Sequence, residues 1–160
     1  MMNLIKHPIF KRGIRLGEES LHDLSHFHRV ERFGLTIAEK NGADKKVISL
    51  FAYLHDARRE NDDDDPDHGR RAVVLLDELI EAGLIELTKM QYRQLSLALA
   101  VHNRFDASSD DLTVQTCWDA DRLDLWRADI VPDPKYMFTE HGKSEKMIEF
   151  SRNLSLSGSA

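Results

Sequence analysis

With Cys117 its only cysteine, this chain cannot form an internal disulfide, and its core has to hold by packing alone. That usage fits a reducing cytoplasm, which is the expected location. Long apolar runs are missing too. No stretch approaches the roughly 18 apolar residues a membrane helix needs, and the N-terminus has no long apolar signal core, so neither insertion nor export is expected. Basic excess is the third absence. Lys and Arg total 22 against 28 Asp and Glu, a formal charge of −6, which disfavours a nucleic-acid duplex as partner while leaving room for a local basic pocket. Sustained strand alternation is absent as well, and no repeat or biased segment occurs beyond the run Asp62 to Asp65.

What remains is helical periodicity. At 160 residues the chain is long enough for one domain, with a core over about 18–130, a helical extension over 131–154 and a frayed tail over 155–160. After an irregular lead-in over 1–17, a first helix is expected from Glu18 to about Lys40. Its inner stripe is Leu24, Phe27, Val30, Gly34, Ile37 and Ala38, and Asn41-Gly42 stops it. Asp44 caps a second helix, in which Val47, Leu50, Phe51 and Leu54 recur at i, i+3, i+4 and i+7, ending around His55-Asp56. Asp65-Pro66 has the form of an N-cap followed by proline at N1, opening a third helix with Ala72, Leu75, Leu76 and Leu79 on one face and Gly83 at its end. Thr88 to Gln91 reads as a capping box for a fourth, carrying Tyr92, Leu95, Leu99 and His102. A fifth runs from Leu112 to about Asp129, with Asp121 on the same stripe as Val114, Cys117, Trp118 and Leu125, and a last short helix spans Glu145 to Leu154. The class is all-α, a compact bundle of five to six helices.

Four polar features lie on or beside these apolar faces: His22 and His26, His55-Asp56, His102 and Asp121. Each alone has an ordinary explanation, as a hydrogen-bonded core histidine or a helix-end aspartate in water. Together they would leave much unpaired polarity, which one divalent cation satisfies in a single step. The arginines Arg58, Arg59, Arg70 and Arg71 crowd the segment after the doublet, where they can either pair with Asp62 to Asp65 or bind phosphate. The aspartate run does not fit a calcium loop. Counted from Asp63, His68 falls where glycine is required and Val74 where glutamate is required. It reads as a solvated loop or a lid.

Three segments, in order, resemble the HD-domain metal-dependent phosphohydrolases. His22-Asp23-Leu24-Ser25-His26-Phe27-His28-Arg29-Val30 is similar to the family's H-x-x-x-H-x-x-R-V opening, His55-Asp56 to its signature doublet, and Asp119-Ala120-Asp121-Arg122-Leu123-Asp124 to its closing D-x-D-[KR]-L-D. Asp67-His68-Gly69-Arg70-Arg71-Ala72 also resembles a stretch of small bacterial members. The resemblance implies an HD-domain fold and metal ligation by His26, His55, Asp56 and Asp121, with His28 the competitor in the first segment. His22, His102 and Asp124 are then candidates for supporting the ligands or for a second metal. Asp56, His68, Arg58 and Arg59 are the candidate catalytic residues, and Arg58, Arg59, Arg70 and Arg71, whose guanidiniums suit developing phosphoryl charge, the candidate phosphate-binding ones.

The implied cofactor is one divalent metal (Mn, Fe, Ni, Co or Zn), and the implied function is hydrolysis of a small phosphorylated substrate through a metal-activated water. Two further readings share these residues: a metal-stabilised sensor of a phosphorylated metabolite, and a di-iron oxygenase. One departure stands out. Members resembling the deoxynucleoside monophosphatases carry a glutamate three residues after the doublet's aspartate, and here that position is Arg59.

Overall fold

The computed structural model describes residues 6–13, 20–104 and 106–157. The lead-in over 1–5 and 14–17, Glu18 at the expected first helix start, and the tail beyond 157 lie outside them. The described residues form seven α-helices and no strand: α1 Pro8–Gly13, α2 Leu24–Asn41, α3 Lys45–Leu54, α4 His68–Glu81, α5 Lys89–Val101, α6 Leu112–Arg122 and α7 Glu145–Leu156. Two 3-10 turns, Leu125–Ala128 and Pro134–Tyr136, lie between α6 and α7. Among the described residues, no helix is long and apolar enough to cross a membrane.

α3 is the central element, packed on α2, α4, α5 and α6. Its sequence explains this position, because every residue but one from Val47 to Leu54 is buried. Its C-terminus therefore delivers His55 and Asp56 into the middle of the bundle. The local signals hold where the chemistry is local. Asp44 accepts from Lys46 N and Val47 N, Thr88 and Gln91 form a reciprocal capping box, and Gly42 and Gly83 end α2 and α4 at positive φ.

Five expectations are corrected. The lead-in contains α1, held by Phe10, which is fully buried as α1 packs on α4. α2 starts at Leu24 because the Asp23 side chain caps His26 N at 2.9 Å, and Leu24 itself is exposed. α4 starts at His68, not after Asp65, because the Asp65 carboxylate is taken by Glu60 N at 2.8 Å and by Arg71. Tyr92 points outward to Asp77. α6 stops at Arg122, where the chain tightens into a 3-10 turn.

The crossing of α4 and α5 is unusually close at Gly69. A Cβ built there would lie 2.5 Å from Leu99 O and 3.0 Å from Ala100 O, both backbone atoms. Gly69→Ala must push the helices apart, with an expected loss of about 1–3 kcal/mol in a urea or thermal melt. His68 and His102, one on each side of this crossing, should lose their contact with it.

Candidate metal centre

Four of the sequence's candidates meet at one point. His26 arrives on the first turn of α2, His55 and Asp56 at the end of α3, and Asp121 on the last turn of α6. The Nε2 atoms of His26 and His55 are 3.0 Å apart. Asp56 Oδ2 lies 3.3 Å from His55 Nε2 and 3.6 Å from His26 Nε2, and Asp121 Oδ1 lies 3.6 Å from both. A second group shares the same carboxylate. The Nε2 atoms of His68 and His102 stand 2.8 Å apart, with Asp56 Oδ1 at 3.2 Å and 3.4 Å. Asp56 thus offers one oxygen to each of two buried donor groups, where the sequence suggested one.

The outer nitrogens decide what the inner ones can do. Each Nδ1 faces an acceptor: Asp124 Oδ2 at 2.7 Å for His26, Ala52 O at 3.1 Å for His55, Asp65 O at 2.5 Å for His68 and Leu99 O at 2.8 Å for His102. A carbonyl or carboxylate only accepts, so Nδ1 carries a proton and each ring, when neutral, turns an Nε2 lone pair inward. Two pairs of lone pairs at 2.8–3.0 Å repel unless a cation or an added proton lies among them. That spacing is also close to the roughly 2.9 Å expected between adjacent nitrogens bound at about 2.0–2.1 Å to one ion. The residues present fit a divalent metal.

The side chains behind the donors are fixed as well. Asp124, fully buried, accepts from Arg29 Nε at 2.7 Å, Arg29 Nη2 at 2.9 Å and Ser155 Oγ at 2.6 Å while it orients His26. Asp119, the first aspartate of the closing motif, is also buried but turns away from the centre, accepting from Phe138 N, Thr139 N and Thr139 Oγ1. Burial pushes its carboxyl up, against the pull of those donors. It fastens the segment before α7.

Burial opposes a charge on His55, but Asp56 and Asp121 outweigh it and push its pKa up to about 10. Burial, partly countered by Asp56 and Asp62, brings His22 down to about 4. The signs are opposite. From an ordinary value of 6.5, the His55 contribution to stability is full below pH 6.5 and is lost as pH rises through about 10. The His22 contribution is full above 6.5 and is lost as pH falls towards about 4. Melts of chelator-treated protein should therefore fall on the alkaline side between pH 6.5 and 10. With added divalent metal the alkaline slope should flatten or reverse, because ligation needs the imidazole unprotonated.

Of the other sequence candidates, His22 stands at the edge of the centre and most of the rest lie away from it. His22 is not stacked on a helix below His26 but lies in the turn before Asp23. Its Nδ1 is 2.8 Å from Asp62 Oδ1 and its Nε2 is 3.6 Å from Asp56 Oδ2. His28 is exposed against Tyr53. Arg58 turns to Glu78 on α4 at 2.6 Å, and Arg71 pairs with both Asp65 oxygens at 2.6 Å, so both guanidiniums are already paired with carboxylates. Arg70 is exposed, 4.0 Å from Asp67. Of the four arginines only Arg59 reaches the centre, with Nη1 at 3.7 Å from Asp56 Oδ1. The loop over 60–67 is tied rather than merely solvated: Arg59 donates to Asn61 O and Asp63 O, and Ser20 Oγ donates to Asp62. Beside it, a cleft of about 730 Å³ is lined by Arg59, His68, Arg70 and Asn103 and by the carboxylate-bearing loop Asp63 to Asp67.

No protein-family pattern matches the sequence, and no curated protein matches it. The structure is similar to the crystal structure of a predicted HD superfamily hydrolase from an uncultured Thermotogales bacterium. The TM-score is 0.69 at 23% sequence identity, over 98% of this chain and 87% of the other. The likeness shows the fold, and it is the HD-type helical fold that the motifs imply.

Proposed function

We propose that this chain is a divalent-metal-dependent phosphohydrolase acting on the phosphate ester of a small molecule. The observation that carries the reading is the inward set of four Nε2 lone pairs around the two oxygens of Asp56, with the Arg59 guanidinium at its edge. When bound there, a divalent ion supplies Lewis acidity towards phosphoryl oxygens and lowers the pKa of a coordinated water. His26, His55, Asp56 and Asp121 would hold it, and Asp56, His68 and His102 offer a second place. Asp124 and the carbonyls of Ala52, Asp65 and Leu99 keep the rings turned inward, so little reorganisation is needed on binding.

Arg59 does the work a neutral donor could not. Its guanidinium, pinned by two loop carbonyls, offers Nη1 to phosphoryl oxygens as negative charge develops on them. A cation at this place, in position for a substrate anion, argues against the nucleotidase route that uses a glutamate there. The neighbouring cleft falls within the roughly 300–1,000 Å³ typical of small-molecule sites and would take the rest of the ester.

A panel of phosphomonoesters and diesters with added manganese, nickel or cobalt tests this. Turnover is expected in the wild type and not in Asp56→Ala or His26→Ala. Metal uptake without turnover of any ester would favour a sensing module instead. The shared carboxylate also favours a second reading, a di-iron oxygenase. Two irons per chain together with substrate-dependent oxygen uptake would establish that in place of hydrolysis.

A further inference from the structure

The sequence places candidate phosphate-binding cations in the segment after the doublet, and the fold leaves only Arg59 of that group at the centre. A second guanidinium comes from elsewhere. Arg127 stands on the 3-10 turn Leu125–Ala128, immediately after the closing motif. Its Nε donates to Leu21 O at 3.0 Å, its Nη1 donates to Asp124 O at 3.0 Å, and its side chain is only 12% exposed. It therefore spans from the turn bearing Asp121 and Asp124 to the turn bearing His22, whose Nε2 is 3.6 Å from Asp56 Oδ2. Two of its three nitrogens are occupied by these carbonyls, and Nη2 has no hydrogen bond to a described residue.

Arg59 comes to the centre from the turn after α3, and Arg127 stands on the turn after α6, bonded to the backbone of Asp124.

Resting on the phosphohydrolase reading, we infer that Arg127 is a substrate-binding residue, gripping the phosphoryl group opposite Arg59, and that the pair selects a phosphomonoester over a diester. A monoester presents three non-esterified oxygens and close to two negative charges at neutral pH, a diester two oxygens and one charge. Two fixed guanidiniums, Arg127 with Nη2 unbonded among the described residues and Arg59 with Nη1 3.4 Å from the His68 ring and 3.7 Å from Asp56, reward the extra oxygen and the extra charge. A carboxylate in place of either arginine would repel the same group.

The test uses the full chain at matched, measured metal content. Inorganic phosphate is titrated calorimetrically into wild type, Arg127→Gln and Arg127→Lys, and phenyl phosphate and bis(p-nitrophenyl) phosphate are compared as substrates. In Arg127→Gln the phosphate Kd should rise at least about tenfold, the weight of one charge-assisted hydrogen bond, and Arg127→Lys should recover part of it. KM for the monoester should rise similarly, KM for the diester by less than about threefold. Wild type should favour the monoester in kcat/KM.

A phosphate Kd within about twofold of wild type in Arg127→Gln overturns the assignment. So does an equal loss on both esters, which is what a mere strut between Leu21 and Asp124 would give. If Arg127→Gln does not fold, Arg127→Lys and the wild-type preference decide, and a wild type that favours the diester overturns it. Absence of all turnover defeats the phosphohydrolase reading alone, since the phosphate titration still decides the role of Arg127.

Discussion

Asp56→Asn should abolish stable metal binding at both donor groups and lower any metal-dependent turnover by on the order of 10³-fold, more than the roughly 10–100-fold expected for residues behind the ligands. The reason is that one carboxylate serves both groups. Oδ2 faces His26 and His55, and Oδ1 faces His68 and His102. The amide keeps the shape, removes the charge and replaces one oxygen by a donor, which then faces a pair of lone pairs. Burial opposes the charge on Asp56, yet His55 and the neighbouring rings hold its carboxyl well below the usual range, so it is the ionised form that the site is built around. Metal content by mass spectrometry after equilibration with manganese or zinc, beside the same ester panel, checks the result. Comparison with Asp121→Asn is informative, because Asp121 reaches only the first group and should leave the His68–His102 group able to bind.

Asp124→Ala should be the most destabilising of the polar substitutions, at about 3–5 kcal/mol, because it strands the buried Arg29 guanidinium without its partner. For a chain of this size that corresponds to a melting temperature lower by roughly 10 °C. It also removes the acceptor behind His26 Nδ1, so metal affinity should fall by about 10–100-fold. The two effects separate in a double variant. Adding Arg29→Met to Asp124→Leu removes the stranded charge and should recover much of the stability, yet the metal affinity should stay low, because nothing then orients His26. If stability and affinity recovered together, Asp124 would matter to the site only through folding.

The sequence made legible what depends on neighbours in the chain. Asp44, Thr88 and Gln91 bond to backbone within three residues, and Gly42 and Gly83 supply a left-handed turn where their helices stop, so these boundaries could be read directly. The fold class followed from apolar spacing, and the meeting of His26, His55, Asp56 and Asp121 was pointed to by three motifs in order.

Features set by tertiary partners were hidden. Asp65 looks like a helix cap in sequence, but Arg71 and Glu60 N claim it first. Arg58 and Arg71 look like phosphate ligands until Glu78 and Asp65 are seen beside them. The pairing of His68 with His102 depends on how closely α4 crosses α5, which only Gly69 hinted at and no periodicity encodes. Arg127 follows the closing motif by three residues. Its importance rests on a bond to Leu21, a contact that no local pattern announces.

The central claim is that the inward-turned histidines and Asp56 surround a cation. Anomalous diffraction at the metal edge, from crystals grown with manganese or zinc, tests it most directly. The account predicts a peak at about 2.0–2.2 Å from His26 Nε2, His55 Nε2 and an oxygen of Asp56. Ordered crystals of metal-soaked protein showing no anomalous peak among these side chains, with metal bound elsewhere or not at all, would contradict it.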